Sequence, residues 1–309
     1  MIQLDRILMA IDFSPVSEAA ATFALLLAKK RQAAVNLIAV ETTDDDLAEE
    51  VLEAEDALSE LADRLQRKYL QVRPASEGFP EDLPVAHQTV SDRSPANGIV
   101  EFAETHGVDL IVAGTRGRRG VSRAILGSVA ADILRSAPCP VLTVRAPKGE
   151  IPDEVNKVVV PVDFSPLSKG AVWYGAGIAQ LFDAELTITH VMEKAGDSSA
   201  YGFKPSVFGT AEAYKRVQRD LSKLTEGLPI DATLQVLDGP PAKAISDYAT
   251  EKQVDLLIMP TRGQSGVKRL WVGSVAESVI TTAPCPVIAS TDFIPYLMEL
   301  PEATDEAKV

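Results

Sequence analysis

Short apolar runs alternate with longer amphipathic segments along the chain, in a regular order. Residues 6–11 are apolar, β-rich and short enough for a strand buried on both faces. Ser14-Pro15 then marks a helix start, because serine can accept from free N–H groups and proline fits the first turn. From Ala19 to Ala28 apolar residues occur all round the helical wheel, as in a closely packed helix. Val35 to Val40 predicts a second strand. Leu47 to Leu70 predicts a long helix with an apolar stripe at Leu47, Val51, Leu58, Leu61 and Leu65. A third strand (Val85 to Val90), a third helix (Pro95 to His106) and a fourth strand (Leu110 to Ala113) follow. A glycine-rich loop then leads into a helix over Gly127 to Ser136 and a fifth strand over Val141 to Val144.

The same series then recurs. Ile7-Leu8-Met9-Ala10-Ile11-Asp12-Phe13-Ser14-Pro15 matches Val158-Val159-Val160-Pro161-Val162-Asp163-Phe164-Ser165-Pro166 at an offset of 151. Gly127-Ser128-Val129-Ala130 matches Gly273-Ser274-Val275-Ala276, and Ala137-Pro138-Cys139-Pro140-Val141 matches Ala283-Pro284-Cys285-Pro286-Val287, both at 146. The shift in offset places a net deletion in the middle of the second unit, in a loop or helix end. The expected division is a first domain over 1–146, a linker over 147–154, a second domain over 155–290 and a tail over 291–309. The tail opens with the apolar patch Phe293-Ile294-Pro295-Tyr296-Leu297-Met298, which can dock on the body, and then turns acidic and is expected to fray.

Strand–helix alternation with short connections predicts an α/β fold, here two tandem, doubly wound, five-stranded parallel sheets. In such sheets ligands bind beyond the carboxyl ends of the strands, where strand order reverses. That selects the loops after the first and fourth strands of each unit.

Composition narrows the partners. A formal net charge of −14 over 309 residues disfavours nucleic acid and anionic membranes. No run reaches the length of a membrane span, and charges interrupt the first residues where a signal peptide would be apolar. Two cysteines, Cys139 and Cys285, suit a reducing cytoplasm, and each is expected to be a buried thiol. His87, His106 and His190 are scattered, so no histidine metal site is expected.

Against this acidic background, the loop after the fourth strand carries Arg116, Arg118, Arg119 and Arg123. Its pattern, from Gly114 through Gly117 to Gly127-Ser128, is G-x2-G-x9-G-S. Glycines admit backbone N–H groups close to phosphate oxygens, and Gly127-Ser128 stands where a helix N-terminus favours an anion. A tight turn with packing glycines and solvated arginines is the competing reading. The loop is neither a Walker A motif nor the dinucleotide fingerprint. Asp12 closes the first strand, with no second acid or nucleophile in view.

Together, Asp12, the G-x2-G-x9-G-S run and the Ala-Pro-Cys-Pro-Val strand resemble the universal stress protein family, over nearly all of both units. The resemblance implies a Rossmann-like, adenine-nucleotide-hydrolase-like fold, with the two units paired as a pseudo-dimer. It also implies an ATP site, with Mg2+ riding on the phosphates, and a regulatory role in the stress response read by a protein partner or an oligomeric state. In the first unit it assigns the base to Asp12 and Val40, and ribose and phosphates to Gly114, Gly117, Gly127, Ser128 and the Val129 amide. Ala10 and Ala113 would form the pocket wall. In the second unit the counterparts are Asp163, Val191, Gly263, Gly273, Ser274 and Val275, but Pro260 replaces Gly114. Proline lacks an N–H and fixes φ, so the second site is expected to be weaker or silent. A non-binding stress scaffold and a slow ATPase are the alternatives. The chain shows no pyrophosphatase-type loop and no His-x-Gly-His pair, so any hydrolysis is expected to be slow.

Overall fold

The computed structural model describes residues 2–42, 48–71, 85–116, 126–145, 154–193, 211–263 and 272–298. The first unit runs β1 (Arg6–Ala10), α1 (Pro15–Arg31), β2 (Ala34–Thr42), α2 (Ala48–Gln71), β3 (Val85–Asp92), α3 (Pro95–His106), β4 (Leu110–Gly114), α4 (Ser128–Ser136) and β5 (Val141–Val144). The second runs β6 (Lys157–Pro161), α5 (Pro166–Phe182), β7 (Glu185–Met192), α6 (Ala211–Thr225), β8 (Ala232–Asp238), α7 (Pro241–Glu251), β9 (Leu256–Pro260), α8 (Ser274–Thr282) and β10 (Val287–Ser290). A single 3-10 turn, Ile294–Tyr296, closes the described chain.

Helix starts follow local chemistry. Ser14 Oγ accepts from Ser17 N–H at 3.2 Å, and Pro15 occupies the first turn of α1. Leu58, Leu61 and Leu65 of α2 are buried as the stripe predicts; Leu47 and the side chain of Val51 lie outside the described residues. The two units differ most between their second and third strands, where α2 has 24 residues and α6 has 15.

All strands join one sheet in the order β3-β2-β1-β4-β5-β10-β9-β6-β7-β8. Pairing is parallel within each unit and antiparallel at the β5–β10 seam. There Leu142, equivalent to Ile288, faces Ile288 itself, while Val141 faces Ala289 and Thr143 faces Val287. A pseudo-dyad therefore passes through the Leu142–Ile288 pair. Since the strands of the two units run in opposite directions, their carboxyl ends lie on opposite edges of the sheet. Each face carries one apolar layer shared by both units: α1, α2, α5 and α6 cover one, and α3, α4, α7 and α8 the other. Arg145 Nη1 donates to Thr281 O at 2.6 Å, so a cation from the first unit sits at the carbonyl end of α8.

Two local devices recur in both units. Asp109 Oδ2 accepts from Asp5 N and Arg6 N at 2.8 and 3.0 Å, and Asp255 Oδ2 accepts from Asn156 N and Lys157 N at 2.8 and 2.9 Å. Each carboxylate thus pins the strand that opens its unit.

The thiols also recur. Cys139 is buried and Cys285 half-buried, and burial pushes each thiol up to about 12. Both are protonated at neutral pH, so iodoacetamide at pH 7 is expected to label unfolded but not native protein. Unfolded cysteine ionises near pH 8.5. Above that value unfolding releases a proton, so stability falls as pH rises, by about 1.4 kcal/mol per pH unit for each thiol. Denaturant midpoints from pH 7 to 10 should stay level to about pH 8 and then drop, and Cys139→Ala should remove its share of that drop.

Beyond β10 the chain folds back as a strap. Phe293 is buried, with its ring 4.9 Å from that of Tyr174 on α5. A Cβ on Gly170 would lie 3.2 Å from Ile294 and 3.4 Å from Phe293, and one on Gly177 would collide with Ile2. Glycine weakens a helix interior by about 1 kcal/mol against alanine; here two of them admit the strap and the start of the chain. Gln3 N donates to Tyr296 O at 2.8 Å, and Tyr296 Oη donates to Pro138 O at 2.6 Å. The apolar part of the tail is docked across both units.

Candidate functional site

Strand order reverses between β1 and β4, which pair in parallel through Ile7–Leu110, Leu8–Ile111 and Met9–Val112. The loops leaving these strands are therefore neighbours. Ile11 N donates to Ile38 O at 2.8 Å and carries the sheet one residue beyond β1. The chain then turns sharply: Asp12 Oδ1 accepts from Ser14 N at 3.0 Å, and Phe13 takes the left-handed conformation, φ 57°. A non-glycine residue there is strained by about 1 kcal/mol or more, yet Phe164 repeats it at φ 60°. Both turns hold an aspartate, half-buried, at the head of a helix.

Ala10, Val40 and Ala113 gather in the apolar layer under α3 and α4, together with Leu126. Gly98 lets α3 come close, since a Cβ there would lie 3.2 Å from Val40 Cγ1 and 3.1 Å from Asp92 Cβ. Small side chains, Ala10 and Ala113, thus stand at the ends of β1 and β4 in this layer, two residues before Asp12 in the case of Ala10.

Gly114 has no positive φ. A Cβ there would stand 3.1 Å from Val16 Cγ1, 3.2 Å from Ser17 N and 3.3 Å from Arg116 O. Its need for glycine is close packing of β4 against the first turn of α1. Gly117, Arg118, Arg119 and Arg123 lie outside the described residues. The far end of the loop is pinned at its neck: Gly127 N donates to Thr115 O at 2.9 Å, and a Cβ on Gly127 would lie 3.1 Å from that oxygen.

Gly127 is also the N-cap of α4, and it offers no side-chain cap. Ser128 and Val129 are exposed in that first turn. Unlike α1, with its serine cap, α4 has no N-cap side chain to engage its first amides, and its start carries the positive end of the helix dipole. Glycine at this position keeps the amides available, where Ser or Asp would engage one.

The second unit keeps this scaffold. Gly273 N donates to Thr261 O at 2.7 Å, Gly273 is the uncapped N-cap of α8, and Val275 is exposed like Val129. Ser274 opens the helix, and Val191 lies half-buried against the same layer as Val40. Details around the aspartate differ. Ser17 Oγ donates to Ser14 O at 3.0 Å, whereas Ser168 Oγ donates to Asp163 Oδ1 at 2.9 Å, beside Ser165 N at 3.0 Å. Gly263 packs so closely that a Cβ would strike the Asp163 carboxylate.

Pro260 causes the fold no difficulty. Leu257 N and Thr261 N donate to Pro286 O and Ser290 O of the β10 side, so position 260 faces β6, whose pairing with β9 ends at Leu257. Proline there forfeits no ladder bond. The larger change lies in the wall, where register equates Ala10 with Pro161 and Ala113 with Met259, and α7 carries Ala244 in place of Gly98. The repeat could have shown these substitutions once its two offsets were applied to every strand. Thr115 and Thr261 each keep a buried hydroxyl without a hydrogen bond among the described residues, a repeated polar group at the neck that no motif announces.

His106 stacks on Phe102, and its Nδ1 lies 2.9 Å from Phe102 O. His190 Nδ1 lies 2.8 Å from Val162 O. Among the described residues no cluster of His, Cys, Asp or Glu could hold a metal ion, and no helix is long and apolar enough to cross a membrane.

The comparisons agree with this architecture. The model of the universal stress protein family matches residues 3–145 and 154–290. A universal stress protein of Methanocaldococcus jannaschii is 36% identical over 141 residues, covering 43% of this chain and 80% of that protein. One from Mycobacterium tuberculosis is 27% identical over 199 residues, covering 64% of this chain and 66% of that protein. The crystal structure of a universal stress protein from Archaeoglobus fulgidus superposes with a TM-score of 0.65 at 22% identity, over 94% of this chain and 97% of that one. With both halves matched by the family and the paired, doubly wound sheets in place, this chain belongs to the universal stress protein family, as a tandem member.

Proposed function

We propose that the first unit binds an adenine nucleotide, ATP by the family resemblance, and that the chain acts as a nucleotide-dependent regulator in the stress response. The observation that carries this is the juxtaposition at the β1/β4 switch point. Asp12, the small wall of Ala10, Val40 and Ala113, and the uncapped start of α4 at Gly127-Ser128-Val129 lie around loops that strand pairing makes neighbours. A carboxylate can accept from an exocyclic amine, a flat apolar wall suits a base, and free helix amides suit phosphates. Gly114 and Gly117 would let the loop backbone approach ribose and phosphates, with Mg2+ bound through the phosphate oxygens. The arrangement would hold and orient a ligand; among the described residues no second acid or nucleophile accompanies Asp12, so occupancy rather than turnover would be the signal. A protein partner or a further association of chains in the cytoplasm would read it.

Ligand binding to the native state raises stability by RT ln(1 + [L]/Kd), about 2.7 kcal/mol at 100-fold excess over Kd. Thermal melts with ATP, ADP, AMP and inorganic phosphate should show the largest upward shift with ATP. Melts that superpose for all four, on protein stripped of carried-over nucleotide, would refute the reading and leave the scaffold role.

A further inference from the structure

We infer that the second unit is closed to nucleotide by its own side chains, and that Met259 and Pro161, more than Pro260, decide this. The inference rests on the nucleotide reading of the first unit and names the residues that restrict it to one half of the chain.

In the first unit the wall is alanine, alanine and valine, with glycine on the helix that packs on it: Ala10, Ala113, Val40 and Gly98. In the second unit the same positions hold Pro161, Met259, Val191 and Ala244. Three of the four are larger, and none is smaller. Met259 is 5% exposed and packs in the layer that also takes Val191. Ala10 is half-buried, while the bulkier Pro161 is buried. Ala113 and Met259 are equally buried, so there the contrast is bulk: a thioether chain stands where the first unit has a methyl group, and a buried pyrrolidine ring where it has a half-exposed one. Close packing around the larger pair disfavours a base beside them.

The polar side is engaged as well. Asp163 Oδ1 already accepts from Ser165 N–H and Ser168 Oγ, and Gly263 lies against the same carboxylate. Asp12 Oδ1 accepts from Ser14 N–H, while Ser17 Oγ turns to a backbone carbonyl instead. A base approaching Asp163 would have to compete with the chain's own donors. The neck and the helix N-terminus of the second unit stay intact, so what is lost is the base pocket and not the fold. The two units thus share a backbone pattern and differ in the side chains of the wall, which makes the second unit the non-binding half of the pair.

The test is a transplant in both directions, read by equilibrium binding of ATP to the full chain. Met259→Ala/Pro161→Ala, with Pro260 kept, is expected to raise the stoichiometry from one to two per chain. Ala113→Met is expected to weaken the first site at least ten-fold while the protein keeps its cooperative melt. A folded Met259→Ala/Pro161→Ala protein that still binds one ATP overturns the inference and leaves the nucleotide reading standing. So does wild-type protein that binds two. Should the double variant fail to fold, Ala113→Met decides: unchanged affinity overturns the inference, and the ten-fold loss supports it. Wild-type protein that binds no ATP defeats the nucleotide reading itself, and with it this inference.

Discussion

Phe293→Ala is expected to destabilise the protein by about 3–5 kcal/mol, the range for removing a fully buried aromatic side chain. Phe293 is 1% exposed although it lies outside both repeats, after the last strand. Its ring meets Tyr174, and its Cβ reaches the space that Gly170 leaves in α5. Truncation opens a cavity lined by a helix that cannot move inward, because α5 already rests on β6 through Gly175, where a Cβ would strike Val160. The loss should appear in urea as a lower midpoint with an unchanged slope. Met298, 54% exposed, is the control, and Met298→Ala should change stability by less than about 0.5 kcal/mol. A Phe293→Ala protein within about 1 kcal/mol of wild type would show that the strap contributes little beyond covering the surface.

Gly127→Asp is expected to lower the affinity for ATP at least 100-fold, about 2.7 kcal/mol, with little effect on folding. Aspartate is among the preferred N-cap residues, so α4 gains a cap. The same carboxylate engages the helix amides and sets a negative charge where phosphates would bind. The added Cβ must ease away from Thr115 O, 3.1 Å distant, by a few tenths of an ångström. Gly273→Asp makes the equivalent change in the second unit, at 3.2 Å from Thr261 O. It should leave ATP affinity unchanged. Equal losses in both variants would mean that both units bind, and full binding by Gly127→Asp would remove α4 from the site.

Much of the fold is legible because it is local or repeated. Strands such as Val35–Val40 are apolar on both faces, the serine-proline pairs announce helix starts, and the double occurrence of Asp-Phe-Ser-Pro fixes the repeat. The seam at β5 and β10 follows from the resemblance and not from the residues themselves. The docking of the strap is a non-local matter: nothing near Phe293 in the chain identifies Tyr174 as its partner, and Gly170 and Gly177 read as helix weaknesses until the segments they admit are known.

Site residues divide in the same way. The motif marks Asp12, Gly127 and Ser128, and of these Asp12 holds the Ser14 amide while Gly127 packs against Thr115 O. The wall residues carry no motif, being small or large apolar residues in a strand. Pro260 attracts notice as a broken glycine, but the strand pairing shows that its missing N–H has no sheet partner to lose. Met259 looks like ordinary core, and the comparison with Ala113 gives it meaning.

The central claim is that a chain built twice carries one working nucleotide site, and calorimetric titration of the stripped, full-length protein with Mg-ATP tests it most directly. The account predicts a single class of site at one ATP per chain; two equivalent sites per chain, or no heat of binding from well-folded protein, would contradict it.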